Sequence, residues 1–261
     1  MTSRGLIIGN SHAAALRLAA TAFAADWPGL ALDFAAMHGE VSAFAVQDGN
    51  LTARTAADRA RLARISGRDS FRLADYDFIA LCGDTPSAFH ATQLWLKARS
   101  PALPSTRAVA LHRGPDWMLL STACFRAALA GLMQTARAYP LLDALAPAGR
   151  RLFLIPTPLL SALAIDHSPR FAAFSQLHHQ GDGPALAAET EAALLAACQG
   201  RATALPWPPE TRQHGFFTHS AFRTGARRLG TSDILPQPQD DFLHANADYG
   251  RVVLAALFRH L

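Results

Sequence analysis

Gly5-Leu6-Ile7-Ile8-Gly9-Asn10-Ser11-His12 runs directly into Ala13-Ala14-Ala15-Leu16-Arg17-Leu18-Ala19-Ala20. The continuous apolar run up to Ile8 reads as a short buried strand. Gly9 to His12 punctuates it, and the Ala/Leu-rich stretch to about Ala25 reads as a helix. Trp27-Pro28-Gly29 ends that helix, because proline and glycine continue helices poorly. The same alternation continues outward. Leu30–Ala36 and Tyr76–Cys82 are apolar enough for strands, as are Arg151–Ile155 and the short Ala202–Leu205. Helical spacing runs over Thr55–Ile65, Ala88–Ala98 with Ser87 as its cap, Trp117–Ala138, Ala185–Cys198 and Ala247–Leu261. Arg212–Gln239 shows little periodicity and reads as loop-rich. Continuous apolar strands alternating with helices predict a parallel sheet covered on both faces. The expected architecture is one three-layer α/β/α sandwich over residues 1–261, with no repeat and no linker. In such sheets ligands bind beyond the carboxyl ends of the strands, so the residues just after each strand carry the functional question.

Composition narrows the classes. Half of the 261 residues are apolar and 17% are charged, which excludes an intrinsically disordered chain. The formal charge is +4, and Lys97 is the sole lysine, so every other positive residue is arginine. Arg54, Arg59, Arg61, Arg64, Arg68 and Arg72 fall in one segment. That reads as a solvated helix face, or as a receiver for an anionic ligand if it borders the site. Nucleic-acid binding is not indicated without clustering on one face. Cys82, Cys124 and Cys198 are far apart and form no C-x-x-C pair, so neither a disulfide framework nor a zinc knuckle is expected. The N-terminal stretch imitates a secretory signal, but Asn10, Ser11, His12 and Arg17 interrupt its apolar core. A cytoplasmic protein without a membrane span is the expectation.

Three positions after strands bear chemistry. Ser11 opens a helix, where free N–H groups and the positive end of the helix dipole lie. It reads either as a helix cap or as a nucleophile whose oxyanion those N–H groups receive. Asp241-Phe242-Leu243-His244 precedes the last helix. Its spacing lets a carboxylate orient an imidazole that serves as general base, or it is a polar loop with a capping aspartate. Gly83, after the Tyr76–Cys82 strand, permits close backbone approach to a ligand or simply ends the strand.

Together these blocks resemble the SGNH/GDSL hydrolase family. Leu6-Ile7-Ile8-Gly9-Asn10-Ser11-His12 is similar to its first block, with Asn10 where aspartate is commoner. Gly83 matches the glycine block in order. Asp241, His244 and the following Tyr249-Gly250 match the last block. The resemblance implies a flavodoxin-like α/β/α fold, with Ser11 as nucleophile, His244 as base and Asp241 as its orienter. It places the N–H groups of Ser11 and Gly83 in the oxyanion hole. The family's asparagine shortly after the glycine is missing, and Asp84 stands nearest. An ionised carboxylate there repels an oxyanion, so another donor such as His90 or Thr85 substitutes, Asp84 faces away, or catalysis is weak. The D-x-x-H spacing selects Asp241 over Asp240.

The expected activity is an esterase working through an acyl-enzyme on a small-molecule ester or acylated saccharide. A degenerate domain that binds a glycan or acylated ligand and a saccharide acyltransferase are the alternatives. No cofactor is expected, since no G-x-G-x-x-G or Walker loop follows the first strand. His178-His179 and His214…His219 lack the companion ligands of a metal site. Cys82 reads as a buried thiol, and Trp117 and Trp207 as packing residues.

Overall fold

The computed structural model describes residues 2–107, 116–230 and 233–261. Five parallel strands form the central sheet: β1 (Ser3–Gly9), β2 (Leu30–Ala36), β3 (Phe78–Cys82), β4 (Arg151–Ile155) and β5 (Thr203–Ala204). The helices are α1 (Ala13–Ala22), α2 (Ala56–Ser66), α3 (Ala88–Lys97), α4 (Thr122–Met133), α5 (Ala138–Leu145), α6 (Ala172–His179), α7 (Gly183–Cys198) and α8 (Ala247–Phe258). None is long and apolar enough to cross a membrane.

The strands lack polar alternation because both sheet faces are covered. Ile7, Phe78, Ala80, Phe153 and Ile155 share a core with α1 and α8. Their neighbours Leu6, Ile8, Ile79, Leu81, Leu152 and Leu154 face the opposite core, built with α3, α4, α5 and α7. This is the layered α/β arrangement that the strand–helix alternation predicts. The strand order is β2-β1-β3-β4-β5, one of the doubly wound orders. The chain leaves β1 toward β2 on one side and builds β3, β4 and β5 on the other. Its topological switch point therefore lies between β1 and β3. Gly9 stands opposite Cys82 there, so the segments after both strands emerge side by side.

Three local readings differ. The stretch Trp117–Ala138 is not one helix. Met118–Leu119 pairs with Ala98–Arg99 as a small ladder, and Ser121 caps α4 by accepting the Cys124 N–H at 3.1 Å. The helix stops at Met133, and the Ala138 N–H that opens α5 donates to the Asp84 carbonyl. A tertiary bond at the sheet's end thus overrides helical propensity. Helix α6 was not expected; it is only eight residues long and follows a turn at Pro169. Phe44–Gln47, Asn50–Ala53 and Ser70–Arg72 form a small antiparallel sheet, and the loop-rich Arg212–Gln239 region carries two short antiparallel ladders.

Helices α1 and α8 cross in close contact at Gly250. A Cβ there would lie 2.2 Å from the Ala15 carbonyl oxygen and 2.9 Å from the Ala19 Cβ. Gly250→Ala should therefore force the helices apart. Overpacking of this kind costs about 1–3 kcal/mol. The expected result is a melting midpoint lowered by roughly 2–10 °C, read by thermal denaturation. An unchanged midpoint would contradict the crossing.

Candidate active site

Ser11 sits in the bend between β1 and α1, and His12 is the residue before the helix. Asn10, 7% exposed, holds this bend: its Oδ1 accepts the His12 N–H at 3.1 Å. Gly83 follows β3 with φ +92°, and a Cβ on it would fall 2.1 Å from Asn10 Oδ1. Only glycine allows that approach. Among the described residues, neither the Ser11 N–H nor the Gly83 N–H donates to a protein acceptor. The two groups sit on adjacent strand ends, free for a ligand.

Asp241 and His244 come from the other end of the chain. His244 Nε2 lies 2.8 Å from Ser11 Oγ, and His244 Nδ1 lies 2.7 Å from Asp241 Oδ2. With Nδ1–H donating to the carboxylate, Nε2 accepts the serine proton. Burial pushes the Asp241 carboxyl up. The hydrogen bonds from His244 and from the Leu243 N–H, with the His244 charge, outweigh it and hold the group down at about 2. Asp241 therefore stays ionised across the neutral and mildly acidic range.

The structure brings together Ser11, Gly83, Asp241 and His244. It also shows what holds the Asp241 segment, which sequence reading missed. Arg223 Nε donates to the Asp241 carbonyl at 2.7 Å and Nη2 to the Pro238 carbonyl at 3.2 Å. Its guanidinium also lies 5.0 Å from the Phe242 ring centre. Asn246 then caps α8, accepting the Tyr249 N–H and donating to the Ala221 and Thr224 carbonyls. An arginine 18 residues upstream of Asp241, in a segment without periodicity, carries no sequence signal of this role.

Asp84 follows Gly83 with φ +49° and meets the Asn10 side chain, and both its carboxylate oxygens are engaged. Oδ1 accepts from Asn10 Nδ2 at 3.3 Å and Oδ2 from the Val41 N–H at 2.8 Å. Desolvation raises its pKa against the lowering effect of these two bonds. Thr85 pairs its hydroxyl with that of Thr157 at 3.2 Å. His90 Nδ1 accepts the Ser87 N–H at 3.2 Å at the start of α3. Asp84, Thr85 and His90 line a cavity of about 360 Å³ together with His12, Arg137 and Leu243. A second cavity of about 350 Å³ opens on the other side of Leu243, against His244, Asp241, Asp240, Arg170 and Arg228.

His12 is the residue sequence reading passed over. Its ring stacks on His244 with centres 4.6 Å apart and planes 18° from parallel. Cys82 is buried, and burial pushes its thiol up to about 12, leaving it protonated and inert. His179 Nε2 lies 3.0 Å from Asp166, and His178 lies against His214 at 4.6 Å. No metal-ligating group of three forms among the described residues. Trp207 is buried with its indole N–H on the Thr157 carbonyl, and Trp117 lies 5.2 Å from the Arg99 guanidinium. None of the six arginines between Arg54 and Arg72 lines either cavity. The chain matches no protein-family model and no curated protein.

The contact between Asn10 and Asp84 explains why an amide stands at position 10. Asn10→Asp would set two carboxylates at hydrogen-bond distance, and the pair would bind a proton more tightly than in the unfolded chain. Stability should fall as pH rises from about 4 to 7, so the variant's melting deficit is expected at pH 7 and largely absent near pH 4. Parallel melting curves of both proteins over that range check it; a pH-independent deficit would contradict the contact.

Proposed function

We propose that this protein is a serine hydrolase of the SGNH type that cleaves ester-linked acyl groups through an acyl-enzyme. The observation that carries the reading is the unbroken relay from Ser11 through His244 to Asp241. A hydroxyl, an imidazole and an ionised carboxylate in this order, next to two unengaged backbone N–H groups, suit acyl transfer. The likeness of the first and last blocks to the SGNH/GDSL family supports it, as does the position of Ser11 and Gly83 at the β1/β3 switch point.

In the proposed reaction His244 Nε2 takes the Ser11 proton as Oγ bonds to the ester carbonyl carbon. The carbonyl oxygen becomes an oxyanion facing the Ser11 and Gly83 N–H groups. Collapse breaks the bond to the alcohol oxygen, which leaves with the proton from His244. Water then attacks the acyl-enzyme, gives its proton to His244, and releases the acid and the free serine. Asp241 keeps the imidazole in the Nδ1–H tautomer and faces the imidazolium that forms. The hydroxyls and amphoteric groups of the larger cavity, with Thr85, Ser87, Thr135, Thr157, Asp84 and Arg137, suit a polyhydroxylated acyl carrier such as a saccharide. The engagement of both Asp84 oxygens favours turnover over non-catalytic binding, because the carboxylate is committed to Asn10 and Val41.

Ser11→Ala should abolish hydrolysis of a short-chain aryl ester, lowering kcat by about 10³-fold or more, without changing the melting midpoint. A fluorophosphonate should label Ser11 in the unmodified protein. Undiminished esterase activity in the purified variant sinks the proposal, and so does labelling at another residue.

A further inference from the structure

The site reads as short of one oxyanion donor, since Asp84 stands where an amide is expected. His12 lies next to Ser11 and borders the same cavity as Asp84. Its backbone N–H is committed to Asn10, so any donor it offers is on the ring. Nδ1 is fully enclosed and meets no partner. Nε2 has no hydrogen bond among the described residues and is not enclosed. A neutral imidazole has one proton to place. On Nδ1 it would be an unpaired donor sealed from water, whereas Nε2 is the ring nitrogen that is not sealed, on a residue that lines the cavity. Burial, and then the nearby His244, push the His12 pKa down to about 3, so the ring is neutral in the working range. The stack on His244 fixes the plane of the ring, and with it the direction of the Nε2–H.

We propose that His12 is a further catalytic residue whose Nε2–H donates to the oxyanion formed at Ser11, replacing the missing amide. The proposal rests on the serine hydrolase reading. It makes His12 distinct from His244: one ring moves a proton, and the other holds its proton and lends it as a hydrogen bond. No bond is made or broken at His12.

Three substitutions separate donation from packing. His12→Phe keeps an aromatic ring for the stack and removes both nitrogens. In His12→Gln the amide nitrogen falls near the position of Nε2. In His12→Asn it falls near that of Nδ1. With 4-nitrophenyl acetate as substrate, His12→Phe and His12→Asn should lower kcat by about 10²-fold, with KM changed by only a few-fold. His12→Gln should recover at least about a tenth of the wild-type kcat. A Phe variant with wild-type kcat overturns the proposal, as does an Asn variant equal to the Gln variant. A second measurement needs no variant: in protein with 15N-labelled histidine, phosphonylation at Ser11 should shift the His12 Nε2–H resonance downfield. An unshifted His12 signal in the labelled adduct overturns the proposal even if the variants misfold. Failure of the underlying reading looks different: Ser11 is then not phosphonylated at all, and both proposals fall together.

Discussion

The pairing of β1 with β3 is the constraint on which the rest of the site depends. Gly9 opposite Cys82 ends both strands at the same level, so Asn10-Ser11 and Gly83-Asp84 are delivered to one place. A Cβ on Gly9 would lie 2.4 Å from the Cys82 carbonyl oxygen, and one on Gly83 would strike Asn10. The two glycines thus let the strand ends close to backbone distance. That closeness brings the segments carrying Ser11 and Gly83 to neighbouring strand ends. A larger residue at either position would displace the chain just where the candidate nucleophile is set.

The second half of the site is built by a different device. His244 reaches Ser11 across 233 residues because α8 lies directly on α1. Gly250 permits the crossing, Asn246 starts the helix at the right point, and Arg223 holds the preceding loop by its carbonyls. Loops that place side chains are ordinarily the least rigid part of a fold. Here the loop carrying Asp241 has its backbone hydrogen-bonded by arginine and by Gln237, so the D-x-x-H segment is fixed from behind. The imidazole is fixed from below by the His12 ring.

How much of this was legible depended on whether a feature was local. The apolar runs of β1, β3 and β4 named themselves, because a strand buried on both faces needs no partner to be recognised; β2, at the sheet edge and half-exposed, was legible from its apolar run alone. Ser11 and the Asp241–His244 pair were readable from their positions after a strand and before a helix. The break between α4 and α5 was not, since it hangs on the Asp84 carbonyl some fifty residues upstream. Arg223 and His12 were missed for the same reason. Their significance lies in what they touch, and single residues announce nothing about distant contacts. The arginine-rich segment erred the other way, being conspicuous in sequence and quiet in space. Arg61 pairs with Asp58, and Arg68 with Asp33. Arg54 and Arg59 cap the Ser42 and Ala53 carbonyls. Exposed pairs of this kind contribute about 0–1 kcal/mol each, and none of these arginines lines either cavity.

That leaves the site with few full positive charges, and the chemistry proposed for it explains why this suffices. Two carboxylates border the site, Asp241 linked to Ser11 through His244 and Asp84 bonded to the neighbouring Asn10, and each would oppose an oxyanion if left bare. Each is instead saturated by donors: Asp241 by His244 and the Leu243 N–H, Asp84 by Asn10 and the Val41 N–H. Charge in ester cleavage exists only transiently, at one oxygen. In the proposed reaction, when the serine proton moves, the imidazolium and Asp241 become a neutral pair, and the oxyanion faces oriented N–H dipoles. Fixed dipoles need no counter-ion before the reaction and little reorganisation during it. A free arginine in the same place would bind anions in the resting state and compete with a neutral ester. In the proposed reaction neutral donors, a neutral His12 among them, act only on the charge that the reaction itself creates.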